Sequence, residues 1–122
     1  MQIHFKGTNY ELTPEISEHA TKKLQGLRKY LKRAHEMAYV YVDLGKETEA
    51  HQNGRIWYAD INLEWNGEKF YAKALEETLE NAVDKATNEL KSALQSAREK
   101  RQSLVRKGGG MFKSLMQGLG RQ

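Results

Sequence analysis

Six cations, Lys22, Lys23, Arg28, Lys29, Lys32 and Arg33, fall within twelve residues that contain no Asp or Glu, and Lys91, Arg98, Lys100 and Arg101 crowd a second segment. Side chains of this type neutralise phosphates, releasing counterions as they bind. One or two cations at a helix C-terminus merely complement the macrodipole, at about 0.5 kcal/mol each, as Glu15, Glu18, Glu80 and Asp84 do near helix starts. Ten gathered cations repel one another unless an anion lies among them, so the surplus predicts a phosphate-binding surface. The charge split agrees: residues 1–90 carry 12 basic and 15 acidic groups, residues 91–122 carry 8 and 1. Such asymmetry points to a polyanion, with RNA or DNA ahead of an anionic membrane surface.

Other chemistry is sparse. His4, His19, His35 and His51 sit on separate segments without the i, i+4 spacing of a zinc site, and read as surface histidines. Cysteine is absent, which removes thiolate ligands, thiol nucleophiles and disulfides together. There is no Gly-x-Ser-x-Gly elbow and no dinucleotide fingerprint, and Gly108-Gly109-Gly110 lacks the Lys-Ser or Lys-Thr of a phosphate loop. The sequence therefore predicts a binding protein with no catalytic residues, no metal and no cofactor.

The elements that must position the cations follow from periodicity. Gln2–Gly7 alternates in polarity like a half-buried strand. Thr13-Pro14 reads as a hydroxyl N-cap with proline at the first helical position, and Ile16, Ala20, Leu24, Leu27 and Leu31 give one apolar helix face down to about Lys32. Met37–Leu44 and Arg55–Trp65 read as strands joined by the polar loop Gly45–Gly54. Asn66-Gly67 predicts a type I′ hairpin turn into a fourth strand, Lys69–Ala74. A second helix runs from about Thr78 to near Leu104 on Leu79, Ala82, Val83, Ala86, Leu90, Ala93, Leu94 and Ala97.

The order β-α-β-β-β-α predicts an α+β domain over residues 1–104: a four-stranded sheet with two parallel helices on one face. A β-α-β crossover makes strands one and two parallel, and each later connection reverses the chain, so both helices end at one edge and their cations become neighbours. On the open sheet face, alternation turns Tyr39, Tyr41, Tyr58 and Tyr71 outward beside Asp43, Asp60 and Glu64. Four such rings suit either base stacking or ordinary cross-strand pairing; the acidic neighbours favour pairing. Residues 105–122 read as a basic glycine-rich linker followed by a short stripe of Met111, Phe112, Leu115, Met116 and Leu119. That stripe suits a frayed end or docking on a partner better than a membrane anchor, and it is spare to the core. No apolar run approaches the roughly 20 residues of a membrane span and no signal-peptide pattern opens the chain, so a soluble, cytoplasmic protein is expected.

Several motifs together resemble a known family, the short-form ribosome hibernation promoting factors and ribosome-associated inhibitors. They are Ile3-His4-Phe5-Lys6-Gly7, Leu12-Thr13-Pro14-Glu15-Ile16, Lys23-Leu24, Leu27-Arg28-Lys29-Tyr30, Asn66-Gly67-Glu68-Lys69-Phe70-Tyr71-Ala72, and Ala82-Val83-Asp84 with Leu90. The resemblance covers roughly Met1 to Arg101. It implies a fold related to double-stranded RNA-binding domains, and a stress-response factor that sits in the decoding region of the small ribosomal subunit. There it would block tRNA and mRNA and hold the ribosome inactive, inhibiting translation. It also implies ribosomal RNA contacts from Lys22, Lys23, Arg28, Lys29, Lys32 and Arg33. The second helix departs from the family's pattern at Thr78, Glu89, Ser92 and Gln95, where Lys91, Arg98, Lys100 and Arg101 would have to compensate. The alternative is a general structured-RNA-binding module.

Overall fold

The computed structural model describes residues 1–47 and 54–106, the side chains at positions 33, 34, 105 and 106 excepted. Strands β1 (Gln2–Thr8), β2 (Tyr39–Lys46), β3 (Trp57–Trp65) and β4 (Glu68–Glu76) form one sheet in the order β1-β2-β3-β4. β1 pairs parallel to β2, and the two later pairs are antiparallel. The helical segments are α1 (Pro14–Gln25), the single turn α2 (Arg28–Leu31), a 3-10 segment (Lys32–Met37) and the long α3 (Leu79–Arg106). Expected loop residues 48–53, including His51, and the tail 107–122 lie outside the described residues.

The predicted signals act as expected at two points. Thr13 caps α1 by accepting the backbone N–H of Ile16 at 3.3 Å, with Pro14 opening the helix. Asn66 (φ 53°) and Gly67 (φ 76°) both occupy the left-handed region between β3 and β4, as a type I′ turn requires. The first helix differs. Instead of running unbroken to Lys32 it ends at Gly26, where the chain tightens into i to i−3 bonds, Leu27 N–H to Leu24 C=O at 2.9 Å and Tyr30 N–H to Leu27 C=O at 3.0 Å. Glycine costs about 1 kcal/mol in a helix interior, which makes this the weak point of the run. The apolar period survives the break because Leu27 and Leu31 are buried with Ile16, Ala20 and Leu24 in one core.

That core lies between the sheet and the helices, with Val40, Val42, Leu44, Ile61 and Leu63 facing Ala82, Val83, Ala86, Leu90 and Leu94 of α3. Directions follow from the pairings. α3 returns antiparallel to β4: Lys85, near its start, bridges to Glu76 at the end of β4, and Arg101, near its end, reaches Glu68 at the beginning. α1 returns antiparallel to β1, and β1, β2 and β4 are co-directional, so α1 and α3 run parallel. Among the described residues no helix is long and apolar enough to cross a membrane.

Candidate nucleic-acid interface

Parallel helices bring the predicted cations to one edge, but not all ten to one surface. Asp84 on α3 fixes the side that faces α1, with His19 Nε2 at 2.7 Å and Lys23 Nζ at 3.7 Å from its Oδ1. Lys91 and Arg98 follow Asp84 at intervals of seven residues, about two turns each, and therefore stack in the same stripe. α2, with Arg28 and Lys29, packs against α3 beyond α1. The segments that carry Lys22, Lys23, Arg28, Lys29 and Lys32 thus adjoin the flank of α3 that carries Lys91 and Arg98. Lys100 lies about two and a half turns from Lys91, on the opposite flank.

Their states differ too. Lys22 pairs with Glu18 at 3.3 Å in an exposed i, i+4 bridge, and Lys23 is drawn to Asp84. Arg28 donates Nε–H to the Gln25 carbonyl at 3.2 Å, and the Lys29 ammonium lies 5.3 Å from the Tyr30 ring centre. Among the described residues, Lys32, Lys91, Arg98 and Lys100 make no ion pair. Lys32 takes φ 51° and ψ −136°, a sparsely populated conformation for a residue with a Cβ, where α2 passes into the 3-10 segment. Arg101 is committed inside the chain: its guanidinium pairs with Glu68 and lies 5.1 Å from the Trp65 ring centre. The side chain of Arg33 is outside the description.

The open sheet face corrects one expectation. Tyr39, Tyr41 and Tyr71 are exposed, but Tyr58 is buried, because its cross-strand partner Gly45 has no side chain and the ring lies down against it. The phenols serve the acids: Tyr58 donates to Asp43 Oδ2 at 3.1 Å and Tyr71 to Asp60 Oδ2 at 2.8 Å, while Thr8 donates to Asp43 Oδ1 at 2.8 Å. Asp43 and Asp60 stand directly opposite on neighbouring strands, and these donors offset a like-charge pair that would otherwise be unfavourable. Burial foremost pushes the Tyr58 phenol above its ordinary value, helped by Asp43; the bond to Asp60 does the same for Tyr71. His4 stacks on Tyr41 with ring centres 5.3 Å apart. Two of the four tyrosines thus belong to a hydrogen-bonded network that position alone did not reveal.

The histidines also depart from a plain surface reading. His19 is half-buried and ties α1 to α3 through Asp84, and His35 is half-buried with Nδ1 unpartnered among the described residues. Among those residues no group of three or more His, Asp or Glu could hold a metal ion.

The sequence and the fold are similar to those of known proteins. A family model described as Sigma 54 modulation protein / S30EA ribosomal protein matches residues 3–102. A ribosome hibernation promoting factor from Klebsiella oxytoca is 27% identical over 100 residues, spanning 82% of this chain and 96% of its own length. The crystal structure of the Thermus thermophilus Protein Y N-terminal domain superposes with a TM-score of 0.67 at 23% identity, covering 79% of this chain and 98% of that one. A ribosomal subunit interface protein from Coxiella burnetii gives 0.64 at 18% identity, covering 81% and 99%.

Proposed function

The chain belongs to the Sigma 54 modulation protein / S30EA ribosomal protein family, and we propose that it is a cytoplasmic ribosome hibernation factor that occupies the decoding region of the small subunit. The family is one of ribosome-binding proteins rather than enzymes. In this reading the protein blocks tRNA and mRNA by filling their place, and its work is done by affinity and shape.

The observation that carries the reading is the flank where parallel helices gather Arg28, Lys29, Lys32, Lys91 and Arg98, cations with no carboxylate partner among the described residues. Holding these charges together without an anion is unfavourable, and ribosomal RNA phosphates supply the anion. Lys22 and Lys23, though drawn to Glu18 and Asp84, extend the same surface, and Arg33 is assigned to it from the sequence alone. Lys100, on the far flank, and Arg101, held by Glu68, have supporting places at most.

Sedimentation with purified ribosomes tests this directly. The protein should pellet with small subunits and with assembled ribosomes, and tRNA bound at the decoding sites together with mRNA should displace it. Equal binding to free duplex RNA would instead support the general RNA-binding module. Binding unaffected by tRNA and mRNA would move the site away from the decoding region.

A further inference from the structure

Among the described residues the large apolar or aromatic side chains that stay exposed are Met37, Tyr39, Tyr41 and Tyr71, at 73%, 42%, 46% and 58%. They form one group on the open sheet face. Tyr39 and Tyr41 alternate along β2 with the buried Val40 and Val42, Tyr71 shares the cross-strand row of Tyr41 through Asn62, and Met37 stands two residues before Tyr39. Single exposed apolar residues need no explanation, but a contiguous group of Tyr and Met is the composition of a protein-binding surface.

The two ends of this face differ. At one end Met37, Tyr39 and Trp65 line an open hollow of about 370 Å³. Its charges are already matched, Glu64 with Lys69 at 3.9 Å and Glu68 with Arg101, so it offers a partner apolar contact. At the other end a hollow of about 270 Å³ contains Asp43 and Asp60, opposite one another on β2 and β3. Each accepts only from neutral donors, Thr8 and Tyr58 for Asp43, Asn62 and Tyr71 for Asp60, and among the described residues neither makes an ion pair. The nearby lysines are engaged elsewhere or stand apart. Lys73 pairs with Glu47 at 4.0 Å and lies 5.2 Å from the Tyr58 ring centre, Lys46 lies 5.8 Å from that of Trp57, and Lys6, opposite Asp43 on β1, is exposed without an ion pair.

Two carboxylates given hydrogen bonds but no positive charge repel each other and any phosphate. A guanidinium answers both, because its planar fork of five donors can bridge two acids while its face lies on a ring. From Tyr39 to Asp43 is four residues of β2, about 13 Å at about 3.3 Å per residue. An extended polypeptide laid along the strands repeats that spacing, since its residues i and i+4 point the same way.

We propose that the open sheet face is a docking surface for an extended segment of a partner protein, which seats an apolar side chain in the hollow beside Tyr39 and, four residues away, an arginine between Asp43 and Asp60. Tyr41 and Tyr71 lie beneath the stretch between them. The helices cover the opposite face of the sheet, so the cationic flank stays free, and the inference does not rest on the ribosome reading.

Titrating the isotope-labelled full chain with the peptide acetyl-Thr-Leu-Thr-Val-Thr-Arg-Thr-amide, followed by amide NMR shifts, tests it without ribosomes. Docking predicts saturable shifts in β2, β3 and β4, with α1 and α3 unmoved. Replacing the peptide's arginine by glutamate, or exchanging it with the valine so that the spacing falls to two, should weaken binding at least about tenfold. D43N/D60N in the protein should do the same. Y41A, which keeps both carboxylates and their donors, should also weaken binding, and it decides the matter where D43N/D60N does not fold. No shift on the sheet face at millimolar peptide, equal binding of the exchanged peptide, or a folded variant that binds as tightly as the unmodified chain would each overturn the proposal. So would oligouridylate moving the same amides at lower concentration, which gives the face to RNA, or shifts that grow with protein concentration alone, which give it to a second copy.

Discussion

Reversing Lys32 and Arg98 together should reduce ribosome affinity in a way that only a phosphate-binding flank explains. Five cations on that flank, Arg28, Lys29, Lys32, Lys91 and Arg98, have no carboxylate partner among the described residues. If each meets one phosphate, the logarithm of affinity falls against the logarithm of salt with a slope of about −3.5 to −4.5, bracketed by the single-strand and duplex coefficients. Between 50 and 200 mM salt that is a loss of roughly 130- to 500-fold. K32E/R98E leaves three contacts, a slope of about −2.1 to −2.7 and a loss of only roughly 20- to 40-fold over the same range. Ribosome sedimentation at a series of salt concentrations reads both slopes, and thermal unfolding checks that the variant remains folded. K100E is the control: it removes the same charge from the opposite flank, so it should leave the slope near that of the unmodified chain. A slope near zero, or a K100E effect equal to one half of the double reversal, would refute the one-sided interface.

Four further outcomes are expected. R101A breaks the contacts to Glu68 and Trp65, and because the pair is about 40% exposed the loss should stay below about 1 kcal/mol, visible as a fall of at most about 4 °C in Tm. G45A places a Cβ against the Thr8 carbonyl and 2.8 Å from the Tyr58 hydroxyl, so the β1–β2 pairing must shift, and the urea midpoint should drop by the equivalent of about 2–4 kcal/mol. Tyr58 and Tyr71 hold their protons above the ordinary phenol value when folded, so the stability they contribute is complete below about pH 10 and is lost as pH rises through the raised folded values; phenolate absorbance should show two tyrosines titrating late, and Y71F should remove one. Cutting the chain after Lys107 should leave the domain folded and thermal unfolding cooperative, since the buried cluster among the described residues already joins both helices to the sheet; an unfolded product would place Phe112 and Leu115 in the core.

Local signals in the sequence determined most of the scaffold. Thr13-Pro14, Asn66-Gly67 and the alternation of Val40 with Val42 and of Ile61 with Leu63 each act through neighbours a few residues away, which is why they could be read without a structure. Element order then determined the parallel helices, because a parallel β1–β2 pair and two reversals leave the chain no other direction. The resemblance carried by short motifs pointed to the family that residues 3–102 match.

Tertiary structure decided what depended on distance through space. The break at Gly26 left the apolar period intact, so periodicity could not reveal it; packing of Leu27 and Leu31 on α3 tolerates the tightened turn. The same holds for the cations. Composition cannot distinguish Arg98, in the stripe that follows Asp84, from Lys100 across the helix, or Arg101, which Glu68 and Trp65 hold from 33 and 36 residues away. Tyr58 lies flat and covered on the open face because Gly45 happened to stand opposite it in the β2–β3 register. A residue's type and neighbours set what it can do, while its partner across the fold sets whether that capacity is already spent, and that partner is chosen only when the sheet and helices close.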